Sequence, residues 1–297
     1  MSQKKLLLIV NPCSGRAKMH TELLKVVEIL SAADFAVTVY PTKCRGDATN
    51  YVLKLSESDY DILVVCGGDG TLNEVITGIM QTGLNIPLGY IPSGTLNEWS
   101  SGLKISRNIE TAAKDIINGK KIKLDIGKFK DKFFSYTASF GAFTSASYSA
   151  PQDIKNILGQ AAYFFEGVKS LANIKPYRLK LIREDETIEG EYLFGAISNS
   201  LSVGGIVKYD KTAVELNDGE FEVLLIKNPD NILKLQPIID GILKREFNRE
   251  GIVFFKTNKL TIETDEALSW TLDGEFAETN GTFMVSNLHN AITFIVP

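Results

Sequence analysis

Short apolar runs alternate with helix-like segments over the first 120 residues of this 297-residue chain. Leu6–Val10 is a continuous apolar stretch, followed by the turn sequence NPCSG and by HTELLKVVEILSAA, whose apolar positions recur with helical period. The pattern repeats with a strand at Val37–Tyr40, a loop through Thr42–Asp47 and a helix at Ala48–Ser56. It continues with a strand at Ile62–Cys66, a helix over TLNEVITGIMQTG, a strand at Pro87–Ile91 and a helix over Asn108–Asn118. Such alternation predicts an α/β domain whose parallel sheet is covered on both faces. Beyond Lys121 the period drops to two, and Lys130-Asp131 punctuates a hairpin. Strand-like segments recur at 177–183, 191–198, 221–227, 259–264, 269–273 and 282–296, with helical patterns at 153–174 and 231–247.

The expected fold class is therefore α/β plus β. It comprises an N-terminal three-layer domain at 1–122 and a mostly antiparallel β-sandwich domain at 123–289 with one or two helical insertions. The strand at 290–297 is a candidate to rejoin the first domain. No run reaches the roughly 18 apolar residues of a membrane span, and the opening MSQKKLLLIVNP reads as a first strand, not a signal peptide.

Composition narrows the function classes. With 32 Lys and Arg against 36 Asp and Glu, the net charge of −4 argues against a general nucleic-acid binder. Three cysteines without CxxC spacing fit reduced thiols and a cytoplasmic setting. His20 and His289, the only histidines, have no ligand-like company, so zinc chemistry is not expected.

The turns carry the candidate chemistry. In open α/β sheets ligands bind outside the carboxyl ends of the strands. There the pattern places NPCSGRA (11–17), TKCRGDA (42–48), GGDGTLNE (67–74) and PSGTLNE (92–98). Glycines permit positive φ or a close approach of backbone amides, and amides at a helix start attract anions. Four convergent turns of this kind point to a nucleotide, although neither a GxxxxGK[ST] loop nor a GxGxxG fingerprint is present. Near the C-terminus, LDGE puts Asp273 and Glu275 two residues apart; on a strand both carboxylates would share a face. A plain hairpin turn is the competing reading of Asp-Gly.

The motifs NPCSG, T-x3-GDA, GGDGTLNEV, PSGTLN, ISNSLSVGG, NDGEFEV and LDGE occur in an order that resembles the bacterial soluble diacylglycerol kinase family. That family shares its catalytic domain with eukaryotic diacylglycerol and sphingosine kinases. The resemblance implies an ATP- and Mg2+-dependent kinase that phosphorylates a lipid hydroxyl, most plausibly of diacylglycerol, in a cleft closed around both substrates. It implies nucleotide contacts or framing by Asn11, Pro12, Cys13, Ser14, Gly15, Thr42, Gly68, Asp69, Gly70, Thr71, Leu72, Asn73, Glu74, Thr95 and Asn97. Asp69 and Asp273 are implied in a water-and-magnesium network, with Glu275 as general base. A second, structural metal is implied at the side chain of Asp218 and the carbonyls of Glu215 and Glu220.

The family usually reads G-T-x-N-D-F where this chain has Gly94-Thr95-Leu96-Asn97-Glu98-Trp99. Glu98 keeps the charge of the metal network and adds a methylene. The helical segment 151–171 resembles the border of a lipid groove, with Tyr163, Phe164 and Phe165 shared between acyl pocket and core. A peripheral contact with the lipid surface and a homodimer are the implied partners. A kinase of a soluble substrate, as in NAD kinase, and a nucleotide- or lipid-binding regulator that has lost catalysis are the competing classes.

Overall fold

The computed structural model describes residues 3–14, 18–95, 97–141, 175–184, 186–203, 207–209, 214–229, 231 and 234–297. Gly15 and the predicted lipid-groove segment 151–171 lie outside the described residues. The chain divides into two compact units, Met1–Ile126 with His289–Pro297, and Gly127–Leu288.

The first unit is an α/β domain. Its strands are β1 (Lys4–Val10), β2 (Phe35–Pro41), β3 (Ile62–Gly67) and β4 (Leu88–Pro92). They pair in parallel in the order β2-β1-β3-β4. Leu6, Leu7, Leu8 and Ile9, and likewise Leu63, Val64, Val65 and Cys66, are all 0% exposed. Successive strand residues point to opposite faces, so both faces of this sheet are covered. The covering helices are α1 (Lys18–Ala32), α2 (Asp47–Val52), α3 (Asp69–Thr82), α4 (Glu98–Gly102) and α5 (Ile109–Asn118). Helix α1 packs on α5, and α2 packs on α3. Asn108 caps α5 by accepting the Thr111 N–H at 2.9 Å, and Gly83 closes α3 in the left-handed region at φ 73°.

The second unit is antiparallel and β-rich. It contains β6 (Lys132–Phe134), β7 (Thr137–Gly141), β8 (Tyr177–Arg183), β9 (Glu186–Ser198), β10 (Ser202–Val203) and β11 (Val207–Lys208), with β12 (Phe221–Lys227), β13 (Ile252–Thr257), β14 (Lys259–Leu272) and helix α6 (Leu235–Lys244). Two further strands, β5 (Lys120–Phe129) and β15 (Glu275–Val296), have residues in both units. The main ladder runs β13-β12-β9-β7-β14-β15. Strands β7 and β8 both pair with β9 and with β14, in consecutive stretches. They therefore lie end to end as one interrupted strand.

Alternation along β12 supplies two cores. Phe221, Val223 and Leu225 join an aromatic cluster with Phe129, Phe134, Phe140 and Trp270. Leu224 and Ile226 join a second cluster under α6, with Ile238, Ile239 and Ile242. The turn at Lys130-Asp131 links β5 to β6. Segments 259–264 and 269–273, expected as separate strands, form most of a single β14 with a register shift between Thr264 and Leu268. Strand β15 extends the expected 282–296 back to Glu275, and β13 escaped the sequence reading, as did the one-turn helix α4. No helix of the described residues is long and apolar enough to cross a membrane.

Candidate active site

Four loops leave the carboxyl ends of β1, β2, β3 and β4, and side-chain hydrogen bonds tie them into one cradle. In the first, Asn11 Nδ2 donates to Thr71 Oγ1 at 2.9 Å, while Asn11 Oδ1 accepts the Cys13 N–H at 2.9 Å. The Ser14 and Ser93 hydroxyls meet at 2.6 Å, linking the first loop to the fourth. Pro12 is half-buried and Cys13 exposed in the same turn. Thr42 begins the second loop, its N–H on the Val10 carbonyl at 2.8 Å.

Glu74, on the second turn of α3, reaches that second loop. Its carboxylate accepts the Gly46 N–H at 2.8 Å and the Ala48 N–H at 3.2 Å, and its carbonyl accepts the Thr49 hydroxyl at 2.8 Å. These bonds hold the start of α2 against α3. Asn73 Oδ1 accepts the Thr77 hydroxyl at 3.3 Å, and Leu72 is 1% exposed with its N–H already inside the helix on the Gly68 carbonyl.

The glycine turn reaches its shape by close approach, not by positive φ. Gly68 is extended at φ −92°, and neither Gly67, Gly68, Gly70 nor Gly94 has positive φ. A Cβ on Gly94 would stand 2.6 Å from the Gly68 Cα and 2.7 Å from Asn97 Oδ1, so the third and fourth loops touch backbone to backbone. The amides of Asp69, Gly70 and Thr71 open α3, where orphan N–H groups and the helix dipole favour an anion.

Asn97 is 3% exposed and left-handed at φ 48°. Its side chain accepts from Tyr90 Oη at 3.1 Å and from the Gly94 N–H at 3.0 Å, and donates to the Gly94 carbonyl at 2.8 Å. Thr95 stands exposed beside it. Asp69 Oδ2 accepts the Glu98 N–H at 3.0 Å, at the start of α4. Asp69 Oδ1 is buried with no hydrogen-bond partner among the described residues. Burial pushes this carboxyl above the usual carboxylate range, against the backbone N–H groups that pull it down.

In the second unit, Asp273-Gly274 form the two-residue turn of the β14–β15 hairpin, with Leu272 paired to Glu275. Both turn residues have positive φ, 48° and 88°, as a type I′ turn requires. The expectation that Asp273 and Glu275 share a strand face is thereby corrected: Asp273 is not on a strand. Nor is it a plain surface turn residue, being 5% exposed. Its Oδ2 accepts the Ser135 N–H, and its Oδ1 accepts those of Tyr136 at 3.0 Å and Thr137 at 2.9 Å. Glu275 is half-buried and Phe276 is 57% exposed.

At the implied second metal site the one side-chain donor, Asp218, is bonded through both oxygens. Asp218 Oδ1 accepts the Glu220 N–H at 3.0 Å, and Oδ2 accepts the Lys256 ammonium at 2.9 Å. The Glu220 carbonyl accepts from Asn287 Nδ2 at 3.0 Å, and Glu215 is exposed. Among the described residues, no three His, Cys, Asp or Glu side chains group as a metal site. Sequence reasoning missed Lys256 and Glu222, because the pairing that joins them to Asp218 is set by a strand, β13, that it did not foresee.

The chain is similar to known proteins along nearly its whole length. The family model described as the diacylglycerol kinase catalytic domain matches residues 5–129. A diacylglycerol kinase of Bacillus subtilis (strain 168) is 31% identical over 297 residues, covering 99% of this chain and 97% of that one. A diacylglycerol kinase of Staphylococcus saprophyticus is 32% identical, covering 99% and 96%. A crystal structure of a candidate diacylglycerol kinase from Bacillus anthracis str. Sterne superposes with a TM-score of 0.82 at 29% identity, covering 100% of this chain and 96% of that one. The chain belongs to the diacylglycerol kinase family of lipid kinases.

Proposed function

We propose that this protein transfers the γ-phosphoryl group of ATP to the hydroxyl of diacylglycerol, giving phosphatidic acid. The observation that carries this reading is the cradle of four loops, in which α3 begins, without a side-chain cap, at the backbone-to-backbone contact of Gly68 with Gly94. The family's members named above supply the acceptor.

In this reading Gly68, Asp69, Gly70 and Thr71 hold the triphosphate through backbone N–H groups, with Thr42, Cys13 and Thr95 bordering the nucleotide. Asn11, Ser14, Glu74 and Asn97, whose side chains are bonded within the cradle, set its shape. Leu72 and Asn73 anchor the helix from its own first turns.

Phosphoryl transfer asks the protein mainly for positioning and charge neutralisation. Mg2+, when bound, would neutralise phosphate oxygens; Asp69 fits a role in holding it, since Oδ1 is buried and has no hydrogen-bond partner among the described residues. Glu98, with one methylene more than the family's aspartate, completes the acidic set of the first unit. Glu275 takes the proton of the attacking hydroxyl as the new O–P bond forms and the bond to the β-phosphate oxygen breaks, releasing ADP. Asp273, whose carboxylate accepts three backbone N–H groups, fixes the hairpin that presents Glu275.

The same reading includes a three-layer first domain, a sandwich second domain, peripheral contact with the lipid surface and a homodimer. Labelled ATP, Mg2+ and diacylglycerol in mixed micelles provide the test. Labelled phosphatidic acid from wild type, and its loss in Glu275→Gln, is the expected result. Bound ATP without transfer to any lipid would overturn it.

A further inference from the structure

Glu222 is 0% exposed, and neither of its carboxylate oxygens has a hydrogen-bond partner among the described residues. A buried carboxylate without compensation is costly. Among the described residues the charge that compensates it is Lys256, whose ammonium lies 3.3 Å from Glu222 Oε1 and 2.9 Å from Asp218 Oδ2. Ladder register imposes this placement. Glu222 on β12 stands directly opposite Lys256 on β13 and Ser198 on β9. Side chains on directly paired residues share a face and lie within reach of one another. Ser198 Oγ is turned away from the Glu222 carboxylate, donating to the backbone carbonyl of Glu222 at 3.3 Å. Tyr209, 3% exposed, meets the Ser198 hydroxyl at 3.3 Å. The ammonium thus sits between two carboxylates, one of them fully buried, on the loop where the family resemblance implies a divalent ion.

We propose that the Lys256 ammonium is the resident cation of the 215–220 loop and replaces a structural divalent metal there. A metal on Asp218 would stand beside the ammonium that Glu222 holds as its counter-charge. The second unit then folds without divalent metal, and the Mg2+ requirement of the protein is confined to its nucleotide.

The test is thermal unfolding of the nucleotide-free, EDTA-stripped full chain with and without Mg2+, in wild type, Asp218→Asn and Lys256→Met. Wild type should show no Mg2+-dependent rise in midpoint, or a rise that Asp218→Asn leaves intact because it arises elsewhere. Lys256→Met should melt below wild type and recover part of the loss with Mg2+, since Asp218 and Glu222 are then free to bind it. A rise in wild type that Asp218→Asn abolishes would overturn the proposal, as would a Lys256→Met protein that melts with wild type. Should Asp218→Asn fail to fold, counting bound Mn2+ by electron paramagnetic resonance decides. One more ion in Lys256→Met than in wild type supports the assignment, and equal counts refute it.

Discussion

Gly94 and Glu74 show how single residues shape the cradle without touching chemistry. Gly94→Ala places a Cβ 2.6 Å from the Gly68 Cα, a backbone atom that cannot swing aside. Overpacking of this kind costs about 1–3 kcal/mol. A lowered denaturant midpoint together with a raised KM for ATP is the expected result. Glu74→Gln keeps one acceptor but loses the charge behind the bonds to Gly46 and Ala48. The loss of ~1.5 kcal/mol expected for a charge-assisted bond corresponds to about tenfold in KM for ATP, with kcat nearly unchanged. The cysteines divide by environment. Burial pushes the Cys66 thiol up to about 12, while Cys13 and Cys44 are exposed. Because only the thiolate reacts, a disulfide reagent at mildly alkaline pH should titrate Cys13 and Cys44 quickly and Cys66 only after denaturation. The four turn motifs were legible at this scale, since Gly, Asn and hydroxyl residues at strand ends announce themselves. That Glu74 spends its carboxylate on the protein was not, because Gly46 and Ala48 lie in another loop.

At the scale of elements, the β14–β15 hairpin is organised around one buried carboxylate. Asp273 satisfies three amides of the 135–137 segment, and its own N–H bonds the Thr137 carbonyl at 2.9 Å. Asp273→Ala strands those amides and should destabilise the second unit by on the order of 3 kcal/mol, read by urea unfolding. Asp273→Asn, which keeps an acceptor, should lose less. The Asp-Gly dipeptide announced a hairpin turn in the sequence. Its partner segment, 136 residues away at Thr137, could not be read, because cross-strand register is set by packing and not by local pattern.

Across the whole molecule, the chain returns at its end to the unit where it began. Residues 289–297 belong to the first unit, where Phe294 pairs with Leu88 in parallel and its ring lies 5.1 Å from that of Trp99. Ile292, Phe294 and Ile295 are buried there. Burial of each is worth roughly 1.5–3 kcal/mol, a sum comparable with the net stability of a typical domain, about 5–15 kcal/mol. Deleting 289–297 should therefore leave the first unit unfolded, seen as rapid proteolysis within 3–126 while the full chain resists.

Taken alone, the sequence determined the alternation of strands and helices in the first unit, the period-two texture of the second and the chemistry of four turns. Each is written in residues close along the chain, through side-chain period and turn propensity. Tertiary structure alone decided that β7 and β8 complete one interrupted strand and that Lys256 stands between Asp218 and Glu222. Those outcomes depend on ladder register and burial among distant segments, where energy comes from pairings that no local pattern records.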